Sequence, residues 1–144
     1  SWRLELMRQI LLWIHFTKNL MRECRFSDVH WWRAFLFMEG KCIVSYIRKK
    51  VMDFYGVKPK DLDGIVSQLR NTRGVEVAIF MYELDQNVFK VSLRSGNEVD
   101  VSKIAGYFGG GGHEKASGVT MTGTPQDILN NLAERIDEQL KGQA

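Results

Sequence analysis

Proline and cysteine are scarce, with two of each in 144 residues. Two prolines and a charged fraction of 26% do not describe a disordered chain. Cys24 and Cys42 cannot make a disulfide framework or a cysteine-rich zinc site. A reducing, cytoplasmic compartment is therefore the expectation. Long apolar runs are also missing. The run Ile10 to Ile14 is followed at once by His15 and Lys18, whereas a membrane span needs about 20 apolar residues. A basic leader with a small-residue cleavage site is absent, so no signal peptide is expected. There is no internal repeat and no low-complexity segment. Glycine, by contrast, is plentiful. Thirteen are present, and four stand together at Gly109 to Gly112.

Charge of one sign is unevenly spread. Residues 1–50 carry 10 Lys/Arg against 4 Asp/Glu, and residues 51–144 carry 10 against 13. The basic half suits an acidic partner such as nucleic acid or the rest of a larger protein, or it is a solvated surface. All four Trp lie in the first 32 residues. There Leu4, Met7, Ile10, Leu11 and Ile14 recur at helical spacing. A second helix is expected over about 27–38, apolar nearly all round and hence buried. Residues 1–40 read as a helical connector belonging to another module. The two helices leave an aromatic face that would suit a homodimer contact or a missing domain.

From residue 41 the pattern changes, and an α+β domain with a mixed β-sheet and flanking helices is expected over 41–144. Lys41 to Ile47 reads as a strand. Arg48 to Tyr55 reads as a short helix ended by Gly56. Asp61 is the expected cap of a further helix with Leu62, Ile65, Val66 and Leu69 inward and Gly74 closing it. Val75 to Met81 and Phe89 to Leu93 alternate as a hairpin around Asp85 to Asn87. Asp100 caps a helix running to Phe108. After the glycines comes a strand, Val119 to Thr122. Thr124, Pro125 and Asp127 then open the last helix.

The glycine run carries the chemistry. Four consecutive glycines cost conformational entropy, and a helix cap needs one. The others free backbone N–H groups and admit a ligand closely, as in concave anion sites. The bland alternative is a flexible loop. Gly-Lys-Ser/Thr does not follow, so this is not a nucleoside-triphosphate loop. A strand–GxGxxG–helix arrangement is also excluded, because the glycines follow a helix and lead into a strand.

The segment Gly109 to Gly118 reads G-G-G-G-H-x-x-A-S-G. It is preceded by D-V-S-K-I-A-x-Y-F at Asp100 to Phe108 and by V-S-L-R-S at Val91 to Ser95. Together these resemble the C-terminal substrate-binding domain of the DHH-family phosphoesterases, most closely the branch that degrades very short RNA. The resemblance implies that Gly109, Gly110, Gly111 and Gly112 cradle a phosphate or sugar. It implies that His113 bonds a phosphate oxygen or stacks on a base. Arg94 would reach a terminal phosphate, a task that suits a guanidinium. Ser117 would flank the ligand. Beside these stand ordinary readings: His113 a satisfied loop residue, Arg94 a surface strand cation, Lys115 a solvated charge. Arg73 is a helix-end charge or a phosphate contact. Ser92 and Ser95 are weaker candidates.

The family's divalent metals, manganese by expectation, belong to an N-terminal domain with an Asp-His-His triplet. That triplet is absent here, so no catalytic residue, metal or cofactor is assigned to this chain. The implied function is the nucleotide- or short-RNA-binding part of a metal-dependent phosphodiesterase. Short RNA, 3′-phosphoadenosine 5′-phosphate and cyclic dinucleotides remain open as substrates. The alternative is a non-catalytic RNA-binding appendage like that ending alanyl-tRNA synthetases.

Overall fold

The computed structural model describes residues 33–142. The expectations for Leu4 to Ile14, for the four Trp and for Cys24 fall outside them.

Six strands form one sheet: β1 (Arg33–Phe37), β2 (Cys42–Ile47), β3 (Val77–Asp85), β4 (Val88–Ser95), β5 (Gly111–His113) and β6 (Ala116–Thr122). Their order is β1-β2-β3-β4-β6-β5, with β2 and β3 parallel and every other pair antiparallel. Parallel neighbours need a long crossover. Here it is α1 (Lys49–Tyr55), a 3-10 turn (Pro59–Leu62) and α2 (Ile65–Arg70). Two more helices, α3 (Val101–Tyr107) and α4 (Pro125–Gly142), complete the described chain. This is the mixed sheet with flanking helices that the patterning implies.

Residues 33–37 are strand, not the end of a helix. Ala34 and Leu36 join the cluster under α1 and α2, while Phe35 and Phe37 pack with the cluster on the opposite face. Both sets are apolar, so the twofold alternation of a strand is hidden in the sequence. The turn into β2 takes three successive left-handed residues, Met38, Glu39 and Gly40 (φ 53°, 58° and 82°). Lys41 N–H donates to the Met38 carbonyl there at 3.2 Å.

Two other boundaries also differ from expectation. Asp61 is not the cap of α2. It sits inside the 3-10 turn and accepts from Lys58 N–H at 2.8 Å. The helix itself starts after Gly64, whose φ of 86° redirects the chain. Likewise α2 stops at Arg70, with Asn71 as its cap. Gly74 (φ 83°) belongs to the turn that feeds β3.

The remaining caps follow the sequence. Gly56 closes α1 in the left-handed conformation. Asp100 accepts from the Ser102 and Lys103 amides at the start of α3. Thr124 and Asp127 form a reciprocal pair at the start of α4, each accepting the other's backbone N–H at 3.1 and 3.2 Å.

Core residues lie on both faces of the sheet. On one face Ile79, Met81, Phe89, Val91, Leu93, Val119 and Met121 meet Ile104 of α3 and Ile128, Leu132 and Ile136 of α4. On the other, Ile43, Ile47, Ala78 and Phe80 meet Ile65, Val66 and Leu69 of α2. Cys42 is fully buried, and burial pushes its thiol up to about 12, as befits an inert core group. Among the described residues no helix is long and apolar enough to cross a membrane.

Glu83 ties the crossover to the β3–β4 hairpin. Its carboxylate accepts from Lys49 N–H at 3.0 Å, Asn87 N–H at 3.0 Å and Arg48 at 3.1 Å. Burial raises its pKa, but the Lys49 and Asn87 amides and the Arg48 guanidinium outweigh burial, and the net shift is downward. A carboxyl lowered on folding stabilises above its unfolded pKa and loses that contribution as pH falls through the folded value. Glu83→Gln is therefore expected to cost about 1.5–3 kcal/mol at neutral pH, the worth of hydrogen bonds to a charged group. The deficit should shrink on acidification through and below the carboxylate range. Urea titrations of both proteins at several pH values check this.

Candidate nucleotide-binding face

The second of these core clusters reaches across β1, β2 and β3 but takes no residue from β4, β6 or β5. Strand β4 alternates strictly. Phe89, Val91, Leu93 and Ser95 are buried, while Val88, Lys90, Ser92 and Arg94 are half-buried on the other side. Cross-strand pairing extends that second side outward. Arg94 lies opposite Ala116 of β6, which lies opposite His113 of β5. One row up the sheet, Ser92 lies opposite Gly118, which lies opposite Gly111. Directly paired residues share a face. Arg94 and His113 therefore flank Ala116 on one surface, although they are far apart along the chain. Neighbouring strands are about 4.8 Å apart, so the two residues are about 10 Å apart across the sheet.

Arg94 donates from one guanidinium nitrogen to the Leu93 carbonyl at 3.0 Å. Among the described residues neither Arg94 nor Lys90 has a carboxylate partner. His113 is exposed. Its backbone and that of its neighbours are nonetheless held from three sides. Ser117 Oγ donates to the His113 carbonyl at 2.7 Å. Val101 N–H at the head of α3 donates to the Glu114 carbonyl at 2.8 Å, and Ser95 N–H to the Lys115 carbonyl at 3.0 Å. Ser95 Oγ adds bonds to the carbonyls of Val99 at 2.7 Å and Glu114 at 3.2 Å. The loop is thus pinned, which lowers the entropy cost of holding a ligand.

These bonds sort the sequence candidates. Arg94, His113, Gly111 and Ser92 come together on the open face. Ser117 and Ser95 do not. Both are buried, and both bond backbone carbonyls of the loop. Lys115 reaches Asn97 Oδ1 at 3.2 Å. Arg73 is exposed in the turn beyond α2. Lys90 is not singled out by the motif. Its signal in the sequence is its place two residues from Ser92 and four from Arg94, on the same side of the strand.

The four glycines have different duties. Gly109 (φ 90°) ends α3, and its N–H donates to the Gly106 carbonyl at 3.1 Å. Gly110 N–H donates to the Ala105 carbonyl at 2.8 Å. Those two N–H groups are spent on the helix end. A methyl group on Gly110 would lie 2.3 Å from the Gly118 carbonyl oxygen, and one on Gly112 would lie 2.6 Å from that of Ala116. Gly112 also has φ 145°. Gly111 alone has neither a positive φ nor a close neighbour. The segment after Gly110 is not a loop at all, because Gly111 to His113 is the edge strand β5.

Among the described residues no three His, Cys, Asp or Glu side chains gather as a metal site requires.

The sequence profile of the DHHA1 domain matches residues 39–142. The chain belongs to this family, the C-terminal domain of DHH-family phosphoesterases. Among curated proteins it is 35% identical over 82 residues to the bifunctional oligoribonuclease and PAP phosphatase NrnA of Thermus thermophilus. That match covers 56% of this chain and 25% of the relative. It is 49% identical over 49 residues to the oligoribonuclease NrnB of Bacillus subtilis, covering 33% of this chain and 12% of that one. The chain thus spans a quarter or less of the length of these relatives. Among solved structures, an exopolyphosphatase-related protein from Bacteroides fragilis shares the fold with a TM-score of 0.70 at 20% identity. There the match covers 96% of this chain and 35% of the other.

Proposed function

We propose that this domain, with β1 as its first strand, is the substrate-binding domain of a two-domain phosphodiesterase acting on short oligoribonucleotides or nucleotide phosphates. The observation that carries this reading is the outer half-face, where Arg94 and an exposed His113 flank one strand beyond the apolar cluster under α2. A guanidinium suits a phosphate, and an exposed imidazole suits a phosphate oxygen or a base. Ala116 between them leaves room for a ligand. Gly111 would let the ligand approach the backbone, while the other three glycines also serve the fold. Hydrolysis, and the divalent metal (manganese) that would activate water for it, belong to a DHH domain outside this chain. Residues 1–32 would connect to that domain or meet a second copy, since residues 33–37 are strand β1 of this domain's own sheet. The compartment is the cytoplasm.

Calorimetry of the 144-residue chain with di- to penta-ribonucleotides tests this reading. Weak binding without cleavage in the presence of manganese is the expected result. Cleavage by this chain alone would overturn the division of labour. Strong binding of tRNA with none of short oligonucleotides would favour the RNA-binding appendage instead.

A further inference from the structure

Glu76 stands immediately before β3, half-buried, and has no part in the reading above. Its carboxylate gathers four successive backbone N–H groups. One oxygen accepts from Gly96 at 3.1 Å, Glu98 at 3.0 Å and Val99 at 3.0 Å, and the other accepts from Asn97 at 3.1 Å. A carboxylate has about four acceptor positions, so these amides use its whole capacity. Successive N–H groups that converge on one point form an anion-binding concavity. Here the anion is the protein's own side chain. Gly96 makes room for it. A methyl group at Gly96 would collide with Glu76 Oε1, and no positive φ demands glycine there.

The loop that Glu76 gathers supports the turn of the proposed site. Within the loop, Ser95 Oγ donates to the Val99 carbonyl at 2.7 Å. Beyond it, the loop holds both residues that join β5 to β6. Ser95 Oγ reaches the Glu114 carbonyl at 3.2 Å, and Ser95 N–H donates to the Lys115 carbonyl at 3.0 Å. Lys115 Nζ in turn donates to Asn97 Oδ1 at 3.2 Å. Glu114 directly follows His113, whose side chain is exposed, so the aim of the imidazole depends on how this backbone is held. Without the carboxylate, four N–H groups would face a space with no acceptor. Part-buried donors left unpaired are costly, and the loop would relax outward to find water, taking Ser95 with it.

We propose that Glu76 is a positioning residue for His113. It is an internal anion that shapes the 95–99 loop and, through Ser95, fixes the turn that aims the imidazole at the ligand. Glu76 itself does not touch the ligand. The inference rests on the nucleotide-binding reading, and the test separates the two. Calorimetry of the full chain with 5′-phosphorylated diadenylate should show Glu76→Ala binding about tenfold more weakly than the wild type. In a His113→Ala background the same substitution should cost less than about twofold, because the side chain that it positions is gone. A merely structural role would cost the same in both backgrounds.

Thermal midpoints confirm that each variant is folded at the titration temperature. Should Glu76→Ala not fold, Glu76→Gln carries the same cycle, since it keeps the shape but turns an NH2 group toward the amides. Wild-type affinity in the Glu76 variant, or an equal loss in both backgrounds, would overturn the inference while leaving the nucleotide reading intact. No binding of the diadenylate by the wild-type chain would overturn both.

Discussion

Gly110→Ala is expected to lower the thermal midpoint by about 10 °C or more, while Gly111→Ala, one residue on, leaves it unchanged or slightly raised. The two glycines look identical in sequence. In the fold they are opposites. A methyl group on Gly110 would lie 2.3 Å from the Gly118 carbonyl oxygen, 2.6 Å from Val119 Cβ and 2.8 Å from Val119 Cα. Two of those three atoms are backbone in the middle of β6, which pairs with β4 along its whole length. No rotamer change relieves the contact. Either β6 leaves the ladder or the end of α3 moves. Overpacking that forces backbone shifts costs about 1–3 kcal/mol and sometimes more. The upper end is expected here, because Gly110 N–H also closes α3 on Ala105. In a domain near this size about 3 kcal/mol corresponds to a shift of roughly 10 °C.

Gly111 has open space around it and an ordinary φ. Alanine there restricts the unfolded chain, worth about 0.4–1 kcal/mol in the folded state's favour. If the open face binds nucleotides, the same methyl group stands on the floor and should weaken binding several-fold. Gly111→Ala would then be a stable protein with a poor site, and Gly110→Ala an unstable one. Scanning calorimetry with nucleotide titration on both variants reads this contrast. Equal loss of stability in the two would show that the run acts as one unit, contrary to the packing.

Much of the architecture is legible in the sequence, because turn and cap residues carry unambiguous local physics. Gly56, Asp100 and the Thr124–Asp127 pair all do what their chemistry suggests. The β3–β4 hairpin and its alternation are equally plain. What is hidden has two causes. One is two-sided burial. Ala34 to Phe37 is apolar at every position because the strand is covered on both faces, so its period cannot be read. The other is glycine itself, which has no side chain to report a periodicity. Nothing in Gly-Gly-Gly-Gly distinguishes a helix stop, a tight packing contact and an edge strand, yet the segment contains all three. The site is similarly half legible. Arg94 and His113 are singled out by motif, but only the β4-β6-β5 register puts them on one face. Ser117 lies in the same motif, and its hydroxyl turns inward to the His113 carbonyl. Lys90 shares the polar side of β4 with Ser92 and Arg94, as the alternation of the strand implies.

Arg94→Ala is expected to weaken binding of short nucleotides about 30- to 100-fold with little change in stability. Arg94 is half-buried, and its only bond among the described residues goes to the neighbouring Leu93 carbonyl. Removing it orphans one carbonyl lone pair at a partly solvated edge, a small loss. Its remaining guanidinium donors point to no protein acceptor among the described residues. A phosphate held by such a fork gains charge-assisted bonds worth about 1.5–3 kcal/mol in total. At about 1.4 kcal/mol per factor of ten, that range centres on the stated loss. Arg94→Lys keeps the charge but replaces a planar two-pronged donor with a point charge, so it should recover less than half of the lost free energy. The same interaction should weaken with salt, and more steeply for the wild type than for Arg94→Ala, because the phosphate contact is the term that salt screens. Titrations at two salt concentrations with all three proteins provide the check. If Arg94→Ala binds as tightly as the wild type at both, the open half-face is not where this domain holds its ligand.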